Sequence, residues 1–146
     1  MKIVLGTDHA GFELKEQVKQ WLTENGHEVD DAGAHAFDEQ DDYPDFIIPA
    51  AKKVSADPLH GRGIVFGGSG QGEAIAANKV RGVRAALYYG HDIDIVRLSR
   101  EHNNTNVLSL GARFVSFEEA KEVISLWLAT DFAGGRHERR IKKLDV

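Results

Sequence analysis

Four of the six residues from Gly67 to Gly72 are glycine, in the segment Gly67-Gly68-Ser69-Gly70-Gln71-Gly72-Glu73. Glycines ahead of a helix leave backbone N–H groups bare, and those groups can gather round an oxyanion. The spacing is not a dinucleotide fingerprint, which belongs after the first strand as G-x-G-x-x-G, and no Gly-Lys-Ser or Gly-Lys-Thr follows to make a P-loop. A response-regulator receiver would end this strand on aspartate, and Gly67 stands there instead. What remains is a loop suited to a small anion or to a developing enolate oxygen. Glu73 closes it. Its type and place admit two readings, a general base or a first-turn carboxylate that complements the helix dipole. Ser69 is equally open, since serine suits any turn or cap.

Partners for such chemistry occur at three other places. Asp8 and His9 lie in Thr7-Asp8-His9-Ala10-Gly11, Arg113 ends Gly111-Ala112-Arg113, and His102 lies in Glu101-His102-Asn103-Asn104-Thr105-Asn106. A histidine in the last position is also an ordinary helix-end residue. His27, His35, His60 and His91 have no comparable setting, and His137 sits in a basic tail. Histidines and carboxylates show no metal-ligand spacing, so no metal is expected. The acidic run Asp38, Glu39, Asp41, Asp42 and Asp45 lacks the spacing and central glycine of a calcium loop and reads as a solvated loop.

The elements that must position these groups are legible as short Val, Ile and Leu runs alternating with segments of helical period. Strands are expected at Lys2–Gly6, His27–Asp31, Gly63–Phe66, Arg84–Leu87 and Val107–Leu110. Leu14, Val18, Trp21 and Leu22 mark one helix ending near Asn25-Gly26, and Phe117, Ala120, Val123, Ile124, Trp127 and Leu128 mark another. Both tryptophans fall on these apolar stripes and read as core. A helix over Glu73–Lys79 follows the glycine loop, and Asp92 reads as an N-cap. Pro49, inside Asp45–Val54, is expected to delay or kink the second crossover helix. The pattern predicts a three-layer α/β/α domain over residues 1–146, a doubly wound parallel sheet of about five strands. In such a sheet ligands bind beyond the carboxyl ends of the strands, where the glycine loop, Asp8, His9 and Arg113 fall.

Composition narrows the chemistry further. The chain of 146 residues holds no cysteine, which excludes disulfides, thiolate catalysis and cysteine-ligated metals. No apolar run is long enough for a membrane helix and the amino terminus turns polar too soon for a secretory signal, so a cytoplasmic protein with no membrane partner is expected. The net charge of −5 argues against nucleic acid. It hides an asymmetry: Arg136 to Lys143 carries an excess of four positive charges, leaving −9 elsewhere. By charge alone that run is a solvated terminal helix.

Several segments occur together in the order of a known family: Gly6-Thr7-Asp8-His9-Ala10-Gly11-Phe12, Asp42-Tyr43-Pro44, the loop Gly67 to Glu73, Ala76-Ala77-Asn78-Lys79, Arg100 to Asn106, and Gly134-Gly135-Arg136-His137. Over essentially its whole length the chain resembles type B ribose-5-phosphate isomerase, of the family that also contains the galactose-6-phosphate isomerase subunits. The resemblance implies a Rossmann-like or flavodoxin-like fold and a cofactor-free aldose–ketose isomerisation. It also implies a homodimer with active sites at the subunit interface, tetramers being left open. Many members carry a cysteine base at the position of Gly67 and a threonine at Ser69; this chain is similar to the cysteine-free subgroup in which a glutamate at Glu73 moves the proton. The same resemblance assigns His102 as the ring-opening acid with Asp8 assisting, and Asn103 to substrate hydroxyls. Gly68, Ser69, Gly70, Gln71 and Gly72 go to the developing oxyanion. His9, Arg113, Arg136 and Arg140 go to the phosphate, and Tyr43 lines the pocket. The implied reaction interconverts D-ribose 5-phosphate and D-ribulose 5-phosphate through an enediolate, as in the pentose phosphate pathway. Allose 6-phosphate, galactose 6-phosphate or a four-carbon sugar phosphate is the alternative substrate. A non-catalytic nucleotide-binding or signalling module is the alternative outside the class.

Overall fold

Side-chain alternation along the strands decides how the sheet is covered. In the first strand, β1 (Lys2–Thr7), Ile3 and Leu5 enter one apolar cluster and Val4 enters another on the opposite face. The computed structural model describes residues 1–145. Its remaining strands are β2 (Glu28–Asp31), β3 (Gly63–Gly67), β4 (Ala85–Tyr88) and β5 (Val107–Gly111). They form one parallel sheet in the order β2-β1-β3-β5-β4. Each predicted strand is present with its ends moved by a residue, as hydrogen-bond assignment allows. The last two strands are exchanged relative to the flavodoxin order 2-1-3-4-5.

Among the described residues there are six α-helices, of which the first five cover the sheet: α1 (Phe12–Glu24), α2 (Pro44–Ser55), α3 (Gln71–Asn78), α4 (Asp94–Asn103), α5 (Phe117–Ala129) and α6 (Arg136–Ile141), the last packed on α4. The face of Ile3 and Leu5 takes α1, α4 and α5 through Leu14, Val18, Val96, Val123 and Trp127. The opposite face takes α2 and α3 through Ile47, Ala51, Val54 and Ala77. Trp127 is fully buried with its indole N–H on the Thr105 hydroxyl at 3.0 Å, and Trp21 packs against the same cluster, as their stripes predict.

Two helices differ from expectation. The second is neither delayed nor interrupted by Pro49: it starts at Pro44, where a missing N–H costs nothing, and runs through to Ser55. Pro49 lies on the exposed side, so the Asp45 carbonyl it fails to bond faces solvent. The helix after the glycine loop starts two residues earlier than predicted, at Gln71, which draws Gln71 and Gly72 into its first turn. Asp92 stands one residue ahead of the N-cap of α4, which is Ile93, and accepts from the Asp94 N–H at 2.9 Å. No helix among the described residues is long and apolar enough to cross a membrane.

A buried ion pair holds the carboxyl end of β1. The Lys15 side chain is fully buried, and its ammonium donates to Asp31 at 2.8 Å and to the Ala34 carbonyl at 2.6 Å. Gly33 and Ala34 in turn bond the backbone of Thr7 at 2.7 and 2.9 Å, next to Asp8. Burial pushes the Asp31 carboxyl up, but the Lys15 and Lys19 ammoniums and the Gly33 amide outweigh it and hold it below its ordinary value. Its contribution to stability is therefore present above the unfolded carboxylate range and lost as pH falls through the lowered value. Lys15→Met leaves Asp31 short of its buried partner and should cost about 3 kcal/mol in urea unfolding, with acid unfolding starting at higher pH than in the native protein. Unchanged stability would show that the pair does not anchor this edge.

Candidate active site

The direction of chain progression reverses between β1 and β3, which opens a crevice at their carboxyl ends. Thr7, fully buried, ties the two strands there, its hydroxyl within reach of the Asp8 and Phe66 carbonyls at 2.9 and 3.1 Å. Asp8 follows at once, buried, with Oδ1 accepting from the Ala10 N–H at 2.9 Å and capping the 3-10 turn His9–Gly11.

Glu73 reaches this crevice from the first turn of α3 and is only 4 % exposed. Its carboxylate occupies the place where a side chain at Gly67 would lie: a Cβ built there would coincide with the carboxylate. Glycine at 67 is therefore a condition for Glu73. The cysteine that many members of the resembling family place here would compete for the same volume. Burial raises the Glu73 carboxyl above its ordinary value and the Asp8 charge adds to this, against its own backbone N–H, which pulls the other way. A carboxylate of raised proton affinity is what a general base working near neutrality requires.

The loop before it is shaped by Gly70, whose φ of +79° is left-handed and whose missing side chain admits Leu87 and the backbone of Gly111. The buried Ser109 hydroxyl donates to the Gly70 carbonyl at 2.7 Å, fixing the loop from β5. Ser69 Oγ accepts from the Gln71 N–H at 3.3 Å. Backbone bonds from Ala112 and Arg113 to Gly67 and Gly68, 2.7 and 3.0 Å, bring the Arg113 guanidinium over Gly68. The Tyr43 ring lies over Gly72. Asp8, His9, Tyr43, Gly68, Ser69, Gly70, Gln71, Gly72, Glu73 and Arg113 thus share one edge of the sheet.

Asp41 belongs with them, contrary to the reading of its acidic run as solvated. Its side chain is 8 % exposed, and Oδ1 accepts from the His9 backbone N–H at 3.0 Å and bonds His9 Nδ1 at 2.7 Å. Nothing in sequence spacing links residues 32 apart. Asp8, His9 and Asp41 bring three donor atoms within 4.8 Å of one another, but the bond between His9 Nδ1 and Asp41 ties two of them to each other rather than leaving an open ligand set.

His102, Asn103, Arg136 and Arg140 are elsewhere. His102 and Asn103 end α4, and the chain just beyond them meets the amino ends of the strands, where Gly63 bonds the Asn106 carbonyl at 2.9 Å and Arg84 bonds the Asn106 side chain at 2.8 Å. Stacked on the His102 ring is His137, at 4.3 Å between centroids, so α6 carries Arg136 and Arg140 to that same edge. Burial, then the charges of His102, Arg136 and Arg140, holds His137 below its ordinary value. The buried Arg100 guanidinium, pushed down to about 10 by burial and by Arg62 and Arg84, braces this edge through the Thr130 carbonyl at 3.0 Å and the Asn104 side chain at 2.9 Å. Between the two edges runs β5, five residues or about 16 Å long. One chain does not bring Glu73 and His102 together.

Fold and crevice define an α/β enzyme scaffold with a buried carboxylate beside an amide-rich anion loop at the switch point. Residues 3–144 match the model of the Ribose/Galactose Isomerase family. The chain is 46 % identical over 142 residues to ribose-5-phosphate isomerase B of Mycolicibacterium paratuberculosis, covering 97 % of this chain and 87 % of that one. It is 41 % identical to ribose-5-phosphate isomerase B of Escherichia coli, covering 98 % and 93 %. Among solved structures, ribose-5-phosphate isomerase B of Mycoplasma genitalium with bound ribulose 5-phosphate superposes with a TM-score of 0.93 at 40 % identity, covering 98 % and 93 %. The Clostridium thermocellum enzyme gives 0.92 at 43 %, covering 99 % and 95 %. The chain belongs to the ribose/galactose isomerase family, and within it to the type B ribose-5-phosphate isomerases.

Gly67→Ala should expel the Glu73 carboxylate from its place by about 1 Å and cut turnover about 100-fold, with the fold retained by circular dichroism. Turnover at the native level would mean that the carboxylate does not need that space.

Proposed function

We propose that the protein interconverts D-ribose 5-phosphate and D-ribulose 5-phosphate, with Glu73 as the base that moves the proton between C2 and C1. The observation that carries this reading is the Glu73 carboxylate, buried beside Gly67 with raised proton affinity, in a chain whose relatives bear this activity in their names. The carboxylate takes the proton from C2 of the open-chain aldose, and the electron pair forms the C1–C2 double bond while charge develops on O1. Backbone N–H groups of Gly68 to Gly72 and the Ser69 hydroxyl stabilise that charge. A proton moves from the C2 hydroxyl to O1, and Glu73 returns its proton to C1, leaving a ketone at C2. No external oxidant or reductant is needed, and the base ends as it began.

Ring opening comes first and needs an acid on the ring oxygen. His102 takes that part with Asp8 assisting, while Asn103 holds substrate hydroxyls and Tyr43 walls the pocket. Proton transfer operates at about 2.6–3.2 Å, and the two edges of one sheet are far beyond it. Each site is therefore built from the Glu73 edge of one protomer and the His102 edge of a second, in a two-fold dimer. Gln71 and the glycine amides lie on the first edge, and the phosphate is held by His9 and Arg113 of one chain with Arg136 and Arg140 of the other. Arginine suits this because its planar fork gives two hydrogen bonds to one phosphate. Residues 1–146 act as one isomerase domain, in the cytoplasm, where sugar phosphates are interconverted.

Glu73→Gln keeps shape and removes the base, so kcat on ribose 5-phosphate should fall by about 10²- to 10⁴-fold with KM near its native value. In the native enzyme kcat should fall as pH drops through the raised Glu73 value, since the base must be ionised. Initial rates on four-, five- and six-carbon aldose phosphates, galactose 6-phosphate and allose 6-phosphate included, test the substrate. Faster turnover of another sugar would reassign it, and full activity in Glu73→Gln would remove Glu73 from the reaction.

A further inference from the structure

The contact between Asp41 and His9 is more elaborate than the reaction outlined above requires. One oxygen of a nearly buried carboxylate receives both the backbone N–H and the ring Nδ1 of His9. Its second oxygen is buried and has no hydrogen-bond partner. No lysine or arginine among the described residues forms a salt bridge with Asp41, so its charge is answered by the imidazole alone. With Nδ1–H committed to Asp41, the ring has one free nitrogen, Nε2. The Phe37 ring stands edge-on to the imidazole at 6.3 Å.

We infer that Asp41 is a positioning residue that fixes the His9 ring through Nδ1 and the backbone N–H and sets a negative charge against it, so that Nε2–H is presented to the phosphate of the substrate. This rests on the reading of His9 as a phosphate ligand. The need for such a device follows from two ordinary titrations. A phosphate monoester becomes a dianion above about pH 6, while a free histidine loses its charge above about pH 6.5. Left alone, the strongest form of the anion and the charged form of its ligand would scarcely coexist. Asp41 moves the histidine's titration upward and opens a shared window. Other groups around His9 act in both directions: Asp8, at the end of β1, supports the cation, while burial and Arg113, after β5, oppose it. Glu13, Glu16 and Lys19 of α1 line the groove that His9 borders. None of these residue types ordinarily titrates close to neutrality, so the ring-proton signal of His9 itself, rather than the rate profile, reports its titration.

Asp41→Asn tests the inference, because the amide oxygen still accepts both hydrogen bonds while the charge is gone. The titration of His9 is followed by NMR of the ring protons in the native dimer and in the variant, its signal identified by its loss in His9→Asn. In the native protein the midpoint should lie above 6.5, and in Asp41→Asn it should move down. KM for ribose 5-phosphate should rise severalfold just above neutrality and little at pH 6, with kcat near the native value, a pattern that loss of packing does not produce. A native midpoint at or below 6.5 overturns the proposal without need of any Asp41 variant. It falls also if His9→Asn weakens substrate binding while Asp41→Asn leaves the His9 titration and the KM profile unchanged. If His9→Asn binds substrate as the native protein does, the phosphate reading of His9 itself is wrong, and the proposal falls with it.

Discussion

Much of this structure depends on one exclusion of volume: the Glu73 carboxylate lies where any side chain at Gly67 would be. The Glu73 carboxylate is largely withdrawn from water, its proton affinity is raised by burial, and no cation forms a salt bridge with it among the described residues. Removing an ion from water is costly, and the surrounding fold must bear that cost. Here the enclosing parts are stiff. Gly70 turns left-handed beneath the loop, Ser109 holds its carbonyl, and backbone bonds from Ala112 and Arg113 close it against β5. In the proposed reaction the same stiffness would keep the amides preorganised toward a developing negative charge, where fixed dipoles need no reorganisation.

Parallel strands give the sheet a polarity, and that polarity divides the chemistry. Residues that follow strands, such as Asp8, Glu73 and Arg113, gather at one edge; residues that end crossover helices, such as His102 and Asn103, gather at the other. The C-terminal helix joins the second group through the stacking of His137 on His102. In the proposed reaction these two groups are halves of one site that lie on opposite sides of the fold. Two-fold association is the simplest operation that would bring them face to face, and it would do so twice.

The sequence made the architecture plain because period-two and helical apolar patterns are local. All five strands, the stripes of α1 and α5, and the core position of Trp127 could be read from spacing alone. Pro49 misled because its cost depends on which side of the helix it faces, and α2 turns it outward. The glycine loop was visible as a candidate anion site, and family resemblance rather than spacing separated the two readings of Glu73. Asp41, Lys15, Ser109 and Arg100 were not legible. Each acts through a partner distant in sequence or through burial, and an acidic run or a lysine in a helix gives no sign of either. The absence of cysteine took on a mechanistic meaning only with geometry, since Gly67 and Glu73 share one space.

We propose that Glu73 of one protomer works with His102 of its partner. Mixing two inactive variants tests it directly: Glu73→Gln and His102→Asn are denatured together, refolded, and assayed against each refolded alone. A hybrid dimer then carries both substitutions in one site and none in the other, and the mixture should recover about a quarter of the native rate. If each site were built from a single chain, every site in the mixture would remain defective. No recovery, with hybrid dimers demonstrated by mass spectrometry, would contradict the account.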